Sequence, residues 1–129
     1  MKNKYILISA LFGALGIALG AFGAHALEEI LQEKDLKNWH TACHYLQIHS
    51  LLLFVLALHI PRLPVLRVSF HLAFTGILLF SGSLTLYSLS HWKPLVFFTP
   101  VGGLLMILAW LSLIRVSKLS QEGIKTTHS

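Results

Sequence analysis

The stretch YILISALFGALGIALGAFGAHAL, from Tyr5 to Leu27, contains no Asp, Glu, Lys or Arg. Three further stretches share this property, and they cover residues 38–61, 68–92 and 94–114. An apolar helix needs about 20 residues to cross the hydrocarbon core of a bilayer, and each stretch is long enough. The sequence therefore predicts an all-α protein, an integral membrane bundle of four transmembrane helices.

Four spans leave no room for a soluble domain in a chain of 129 residues, so we expect a single transmembrane domain over 1–129. The composition agrees, because 12% of the residues are charged, against about 25% in a soluble domain. The predicted spans cover residues 5–26, 39–60, 68–90 and 95–116, and a polar connection over 27–38 joins the first two.

Two prolines allow different starts for the fourth span. A start directly after Pro94 gives the range 95–116. In the alternative, Thr99 caps the helix and Pro100 occupies its first position, where the missing N–H costs nothing. The capping pattern favours the second start, and the sequence alone leaves both open.

The distribution of charge predicts the orientation. The side with both termini has a clear excess of cations, and its charged residues are Lys2, Lys4, Arg62, Arg67, Arg115, Lys118, Lys125 and Glu122. The opposite side carries Lys34, Lys37, Lys93, Glu28, Glu29, Glu33 and Asp35. Short loops rich in Lys and Arg stay in the cytoplasm. We therefore expect a protein of the cytoplasmic (inner) membrane with both termini inside and the connection 27–38 outside.

The formal net charge of +5 does not indicate binding to nucleic acid. The cations flank the spans, whereas a nucleic-acid interface needs them in a stripe or run. The expected partners are the lipid bilayer and, beyond it, other membrane proteins or a second copy of the chain.

Small residues recur at helical spacing in the first span. One face carries Gly13, Gly16, Gly20 and Gly23, and a second face carries Ala14, Ala18, Ala21 and His25. Faces without bulky side chains let two helix backbones approach closely. We expect this helix to touch two neighbours, within the bundle or in a homodimer, and we expect similar packing at Gly82, Gly102 and Gly103.

The chain has eight histidines, and two of them suggest a metal site. His40 and His44 lie four residues apart on one helix face, beside Cys43. Imidazole and thiolate are ligands for zinc and copper, and His91 is predicted at the same side of the membrane. The alternative is that these rings are ordinary residues of the membrane interface. We expect no resident cofactor.

His49 differs because it lies deep inside the second span, where a polar ring should face protein or a cavity. One interpretation is a hydrogen bond between helices, to Ser81, Ser83 or Thr85. The other is a polar binding site for a lipid, a quinone or another small molecule. That site would consist of His25, Tyr45, His49, Ser81, Ser83 and Thr99.

No acidic residue lies inside a predicted span, so paired carboxylates and carboxylate proton relays are excluded there. No nucleophile with its base and no phosphate-binding loop can be assembled from the motifs. We therefore expect a protein that is not an enzyme. The leading hypothesis is a structural or accessory partner that acts by helix packing in a larger membrane assembly.

Four motifs carry a resemblance to a known family. They are Gly20-Ala-Phe-Gly-Ala-His-Ala-Leu27, Trp39 and Tyr45 leading to His49, Phe80-Ser-Gly-Ser-Leu84, and Thr99-Pro-Val-Gly-Gly103 with Trp110. Together they resemble the small membrane proteins of the YgdD/YwdK type, a domain-of-unknown-function family that includes eukaryotic transmembrane protein 256. The resemblance implies four helices in the inner membrane and brings no established activity.

The resemblance also separates the histidines. His25 and His49 match the family pattern, whereas His40, Cys43 and His44 do not. It therefore favours the ligand hypothesis over the metal hypothesis as a property of the whole family.

Overall fold

The computed structural model describes residues 3–127 and builds them from four long helices. They are α1 (Asn3–Phe22, continued by a π-helical turn over Gly23–Leu27), α2 (Glu33–His59), α3 (Leu66–Ser90) and α4 (Leu95–Thr127). All four are long and apolar enough to cross a membrane. The prediction of an all-α chain with four candidate spans is confirmed. Lys2, one of the cations counted above, lies outside the described residues.

The second helix includes half of the predicted polar connection, because α2 starts at Glu33 rather than near Trp39. Glu33 and Asp35 lie in its first turn, where negative charge complements the positive end of the helix dipole. The helix therefore begins in the polar segment and only then enters the apolar stretch.

The fourth helix begins at Leu95, so the start that the capping pattern favours is wrong, and Pro100 lies inside the helix. The Thr99 hydroxyl does not cap α4. Its oxygen lies 2.6 Å from the hydroxyl oxygen of Ser83 on α3. A contact across helices therefore replaces the local cap that the sequence suggests.

The helices pack in chain order, α1 against α2, α2 against α3 and α3 against α4. The beginning of α1 meets the beginning of α3, since the rings of Tyr5 and Phe70 are 4.8 Å apart. The hydroxyl oxygens of Ser69 and Ser112 are 2.6 Å apart, so α4 also passes the beginning of α3. The first described residues, the α2–α3 turn and the later part of α4 therefore share one end of the molecule.

The helix array has two ends, the turn end and the connection end. The turn end carries the α2–α3 turn, residues 60–65. The connection end carries residues 28–32 and 91–94, which join α1 to α2 and α3 to α4.

The core lies between α2 and α3, where Leu53, Phe70, Ala73 and Ile77 are almost completely buried. Large apolar side chains elsewhere, such as Phe97, remain exposed. In a membrane protein such side chains contact lipid, so their exposure agrees with the apolar spans.

Glycines set the closest approaches between helices. A methyl group added to Gly102 would lie 2.6 Å from the carbonyl oxygen of Gly76, and at Gly23 it would lie 2.5 Å from the Trp39 ring. Gly16 and Gly20 pack against Gln47, with contacts of 3.0 and 3.2 Å to the added methyl.

Gly76 is equally tight, with the added methyl 2.8 Å from the backbone nitrogen of Met106, whereas three of the predicted packing glycines have more room. The added methyl would be 3.7 Å from Ser50 at Gly13 and 3.8 Å from Phe80 at Gly103. At Gly82 it would meet no described atom within 4 Å. The tight contacts are therefore confined to the α1–α2 and α3–α4 interfaces.

Candidate functional site

His49 is buried on α2 and bridges to α4. Its Nδ1 lies 2.8 Å from the carbonyl oxygen of Tyr45, and its Nε2 accepts a hydrogen bond of 3.2 Å from the indole N–H of Trp110. An indole can only donate, so Nε2 is the acceptor and Nδ1 carries the proton. The ring therefore has a partner on each nitrogen and one defined tautomer.

The predicted hydroxyl partners of His49 bond elsewhere. Ser81 donates to the carbonyl oxygen of Ala42 over 2.7 Å, which joins α3 to α2. Ser83 pairs with Thr99, and Thr85 donates to the carbonyl oxygen of Ser81 over 2.8 Å. Among the described residues, every fully buried side-chain nitrogen or oxygen has a hydrogen-bond partner. Ser81 and Ser83 therefore join neighbouring helices, Thr85 bonds within α3, and none of the three hydroxyls bonds to His49.

A groove of about 460 Å³ runs between α2 and α4, and α3 forms its floor. It exists because α2 and α4 both pack on α3 while their backbones stay apart. Its lining residues are Lys34, Asn38, Phe80, Leu84, Tyr87, Val96, Thr99, Pro100 and Gly103. The walls are mostly apolar with a few polar groups, a composition typical of pockets for small amphipathic molecules.

Tyr45 lies beyond this groove, toward the His49 bridge. Its ring is 5.0 Å from Phe80, which lines the groove, and 6.2 Å from His49. Tyr45, His49 and Thr99 therefore lie along one side of the molecule.

His25 does not join them. It lies exposed on the π-helical turn, and α1 runs antiparallel to α2, with the Trp39 indole donating to the carbonyl oxygen of Leu19 over 2.8 Å. His49 is ten residues further along α2 than Trp39, which corresponds to about 15 Å. His25 and His49 therefore lie at different depths.

The structure does not bring the four candidate metal ligands together, although His40 and His44 line one open pocket on α2. His40 and His44 are exposed on α2, whereas Cys43 is buried against Leu27 and Trp39. His91 is bonded to Asp35 instead. Within residues 3–127, no three His, Cys, Asp or Glu side chains are grouped so that they could hold one metal ion.

The contact between His91 and Asp35 was missed by the sequence analysis. His91 caps α3 with a left-handed backbone, φ 54°, and its Nε2 lies 2.7 Å from the carboxylate of the buried Asp35. The contact ties the end of α3 to the first turn of α2. The signal for it was an acid shortly before the second predicted span and a histidine directly after the third.

Replacing Asp35 with asparagine should lower the free energy of unfolding by about 1 kcal/mol, because a charge-assisted hydrogen bond becomes a neutral one. Thermal unfolding of the purified protein in mild detergent measures this. Glu33→Gln is the control, since it removes an exposed carboxylate from the same helical turn. Equal losses in the two variants would mean that the helix dipole, and not the contact with His91, accounts for the effect.

The face of α1 opposite its glycines is unoccupied. Ala14, Ala18, Ala21 and His25 are all exposed, and α1 packs against α2 alone among the other three helices of residues 3–127 in backbone contact. Side chains of α1 do reach α3, since Phe12 stacks on Phe74 with ring centres 5.3 Å apart. The alanine face itself, however, is left uncovered by the described part of the chain.

Comparisons with known proteins identify the family. Residues 19–103, which include every residue that lines the groove, match the family described as "Protein of unknown function (DUF423)". UPF0382 membrane protein YwdK of Bacillus subtilis is 38% identical over 113 residues, covering 85% of this chain and 92% of that protein.

Two further relatives are similar along most of their length. A UPF0382 membrane protein of Haemophilus influenzae is 40% identical over 114 residues, covering 88% of this chain and 92% of the relative. UPF0382 membrane protein C1782.12c of Schizosaccharomyces pombe is 39% identical over 115 residues, covering 83% and 95%. No solved structure matches the chain. The resemblance seen in the sequence motifs is confirmed, and the chain belongs to the DUF423 family of membrane proteins.

Proposed function

We propose that this protein is an accessory component of the inner membrane that packs its first helix against another membrane protein. The observation that carries the proposal is the exposed face of Ala14, Ala18 and Ala21 on α1. Small residues of this kind favour close packing of helices in a membrane, where lipid supplies no hydrophobic force between them. The matching glycine face of the same helix already packs against α2 in this way.

The proposed orientation places the turn end in the cytoplasm, with both termini inside. It is supported by the cations at this end, which include Lys4, Arg62 and Arg67, and by the cytoplasmic retention of short basic loops. The connection end has the acidic Glu28, Glu29, Glu33 and Asp35 and would face outside.

Binding of a small molecule by His25 and His49 together is a weaker candidate. The two rings lie at different depths, and both nitrogens of His49 already have partners. The groove between α2 and α4 retains its polar groups at Asn38, Tyr87 and Thr99, so a ligand site would centre there.

A photo-crosslinking residue at position 18, in native membranes, tests the packing proposal. We expect it to capture one protein of defined mass. The same residue at the exposed Leu108 of α4 is the control and should capture lipid only. A crosslinked product made of two copies of this chain would show that the alanine face mediates self-association, and the accessory role would then be wrong. Capture of lipid alone at position 18, with a lone monomer in several mild detergents, would contradict the proposal.

A further inference from the structure

A second cavity, of about 440 Å³, lies at the turn end between the beginning of α1, the end of α2 and the beginning of α3. Its lining residues are Lys4, Tyr5, Ala57, Ile60, Pro61, Pro64 and Arg67. The two prolines restrict the backbone of the turn that forms its rim. The cavity therefore has a conformationally restrained rim, and it lies at the end of the candidate spans, where a membrane would meet water.

The cavity is electropositive. Lys4 and Arg67 approach it from different helices, and none of its lining residues is acidic. The Lys4 ammonium lies 5.1 Å from the centre of the Tyr5 ring, a cation–π contact that keeps it at the rim. The N-terminal ends of α1 and α3 lie beside the cavity and add partial positive charge.

Tyr5 supplies a second, independent observation. Its side chain is 8% exposed and is held edge-on against Phe70 with ring centres 4.8 Å apart. Among residues 4–127 its hydroxyl has no hydrogen-bond partner, although every fully buried side-chain polar atom there has one. An unbonded hydroxyl that is not fully buried is therefore available to a ligand, on a residue that lines the cavity.

The apolar lining residues of the cavity indicate what kind of anion fits. Ala57 and Ile60 give the cavity an apolar floor; Ala57 lies near the end of the candidate span over α2, and Ile60 follows that span directly. A partly apolar molecule with an anionic group, at the membrane surface, fits all three features. The anion pairs with the cations and accepts a hydrogen bond from the phenol, and the apolar part contacts the floor. Basic pockets between membrane helices bind lipid head groups in this manner.

We propose that this cavity binds the phosphate of an anionic phospholipid. Lys4 and Arg67 pair with the phosphate, the Tyr5 hydroxyl donates a hydrogen bond to it, and the glycerol and acyl ends lie over Ala57 and Ile60. This site is separate from the alanine face of α1 and does not depend on a protein partner.

Native mass spectrometry of the full chain in neutral detergent, titrated with phosphatidylglycerol, tests the proposal. Removing both charges by Lys4→Gln and Arg67→Gln should weaken binding by about 30-fold. Tyr5→Phe keeps the ring and removes the hydroxyl, so binding should weaken by about fivefold while thermal stability is retained. Arg115→Gln with Lys118→Gln removes the same charge from exposed positions of α4 and should leave binding unchanged.

Three results would overturn the proposal. An equal loss in the α4 control would show general attraction of anionic lipid to a basic surface. Equal binding of phosphatidylcholine with the same acyl chains would show that the negative charge is not recognised. Complete displacement of the lipid by millimolar inorganic phosphate would identify a free phosphate, and not a lipid, as the ligand.

Discussion

Replacing Gly102 with alanine is expected to lower the free energy of unfolding by about 3 kcal/mol, toward the upper end of overpacking effects in protein cores. The new methyl carbon would lie 2.5 Å from the backbone nitrogen of Phe80 and 2.6 Å from the carbonyl oxygen of Gly76. Both atoms belong to the backbone of α3, which cannot rotate away as a flexible side chain can. The variant can be accommodated only if α3 and α4 move apart.

Moving α3 and α4 apart would also weaken the hydrogen bonds between them. The hydroxyl pairs Ser83–Thr99 and Ser69–Ser112, each at 2.6 Å, cross the same interface and would lengthen. Interhelical hydrogen bonds in membranes contribute about 0.6 kcal/mol each on average, so the methyl clash remains the larger effect.

Denaturant-induced unfolding in mild detergent, compared with Gly82→Ala, measures this effect. Gly82 also lies on α3, and apart from the adjacent backbone of its own helix a methyl group there would meet no described atom within 4 Å. The control should change stability by less than about 0.5 kcal/mol. Similar losses in the two variants would contradict a close approach at Gly102.

The four helices could be predicted because the bilayer restricts the options. A charge-free stretch of sufficient length must satisfy its backbone internally, and a helix does so. The ends of the helices could not be predicted from the same signal. Hydropathy reports which residues are apolar, whereas α2 begins in the polar segment at Glu33 and α4 continues through exposed polar residues to Thr127.

The hydrogen-bond and packing partners of individual side chains could not be predicted from the sequence either. The depth of His49 in the second span predicts that its ring faces protein or a cavity, but the partner is Trp110, 61 positions away, and not a hydroxyl of α3. Helical spacing shows on which face of a helix a residue lies, but it does not show how two helices are aligned along their lengths. For the same reason it did not distinguish Gly76, which meets α4 closely, from Gly82, which meets nothing.

Replacing Gly23 with alanine is expected to cost about 2–3 kcal/mol by displacing Trp39. The added methyl would lie 2.5 Å from both Cδ1 and Nε1 of the indole. Trp39 is 3% exposed, packs with Leu27 and Cys43, and donates its hydrogen bond to α1 through Nε1. Since the ring fills an enclosed space, it cannot move without losing that bond or the packing around it.

A double-mutant cycle in detergent distinguishes this clash from a general effect of alanine on the helix. Trp39→Phe removes the indole N–H and leaves a smaller ring, so Gly23→Ala should cost clearly less in that background than in the natural chain. Gly13→Ala is the matched control, because its methyl would make an ordinary 3.7 Å contact with Ser50 on the same interface. If Gly23→Ala costs the same with tryptophan and with phenylalanine at position 39, the π-helical turn tolerates a side chain there. The contact with α2 would then not be the reason for glycine at that position.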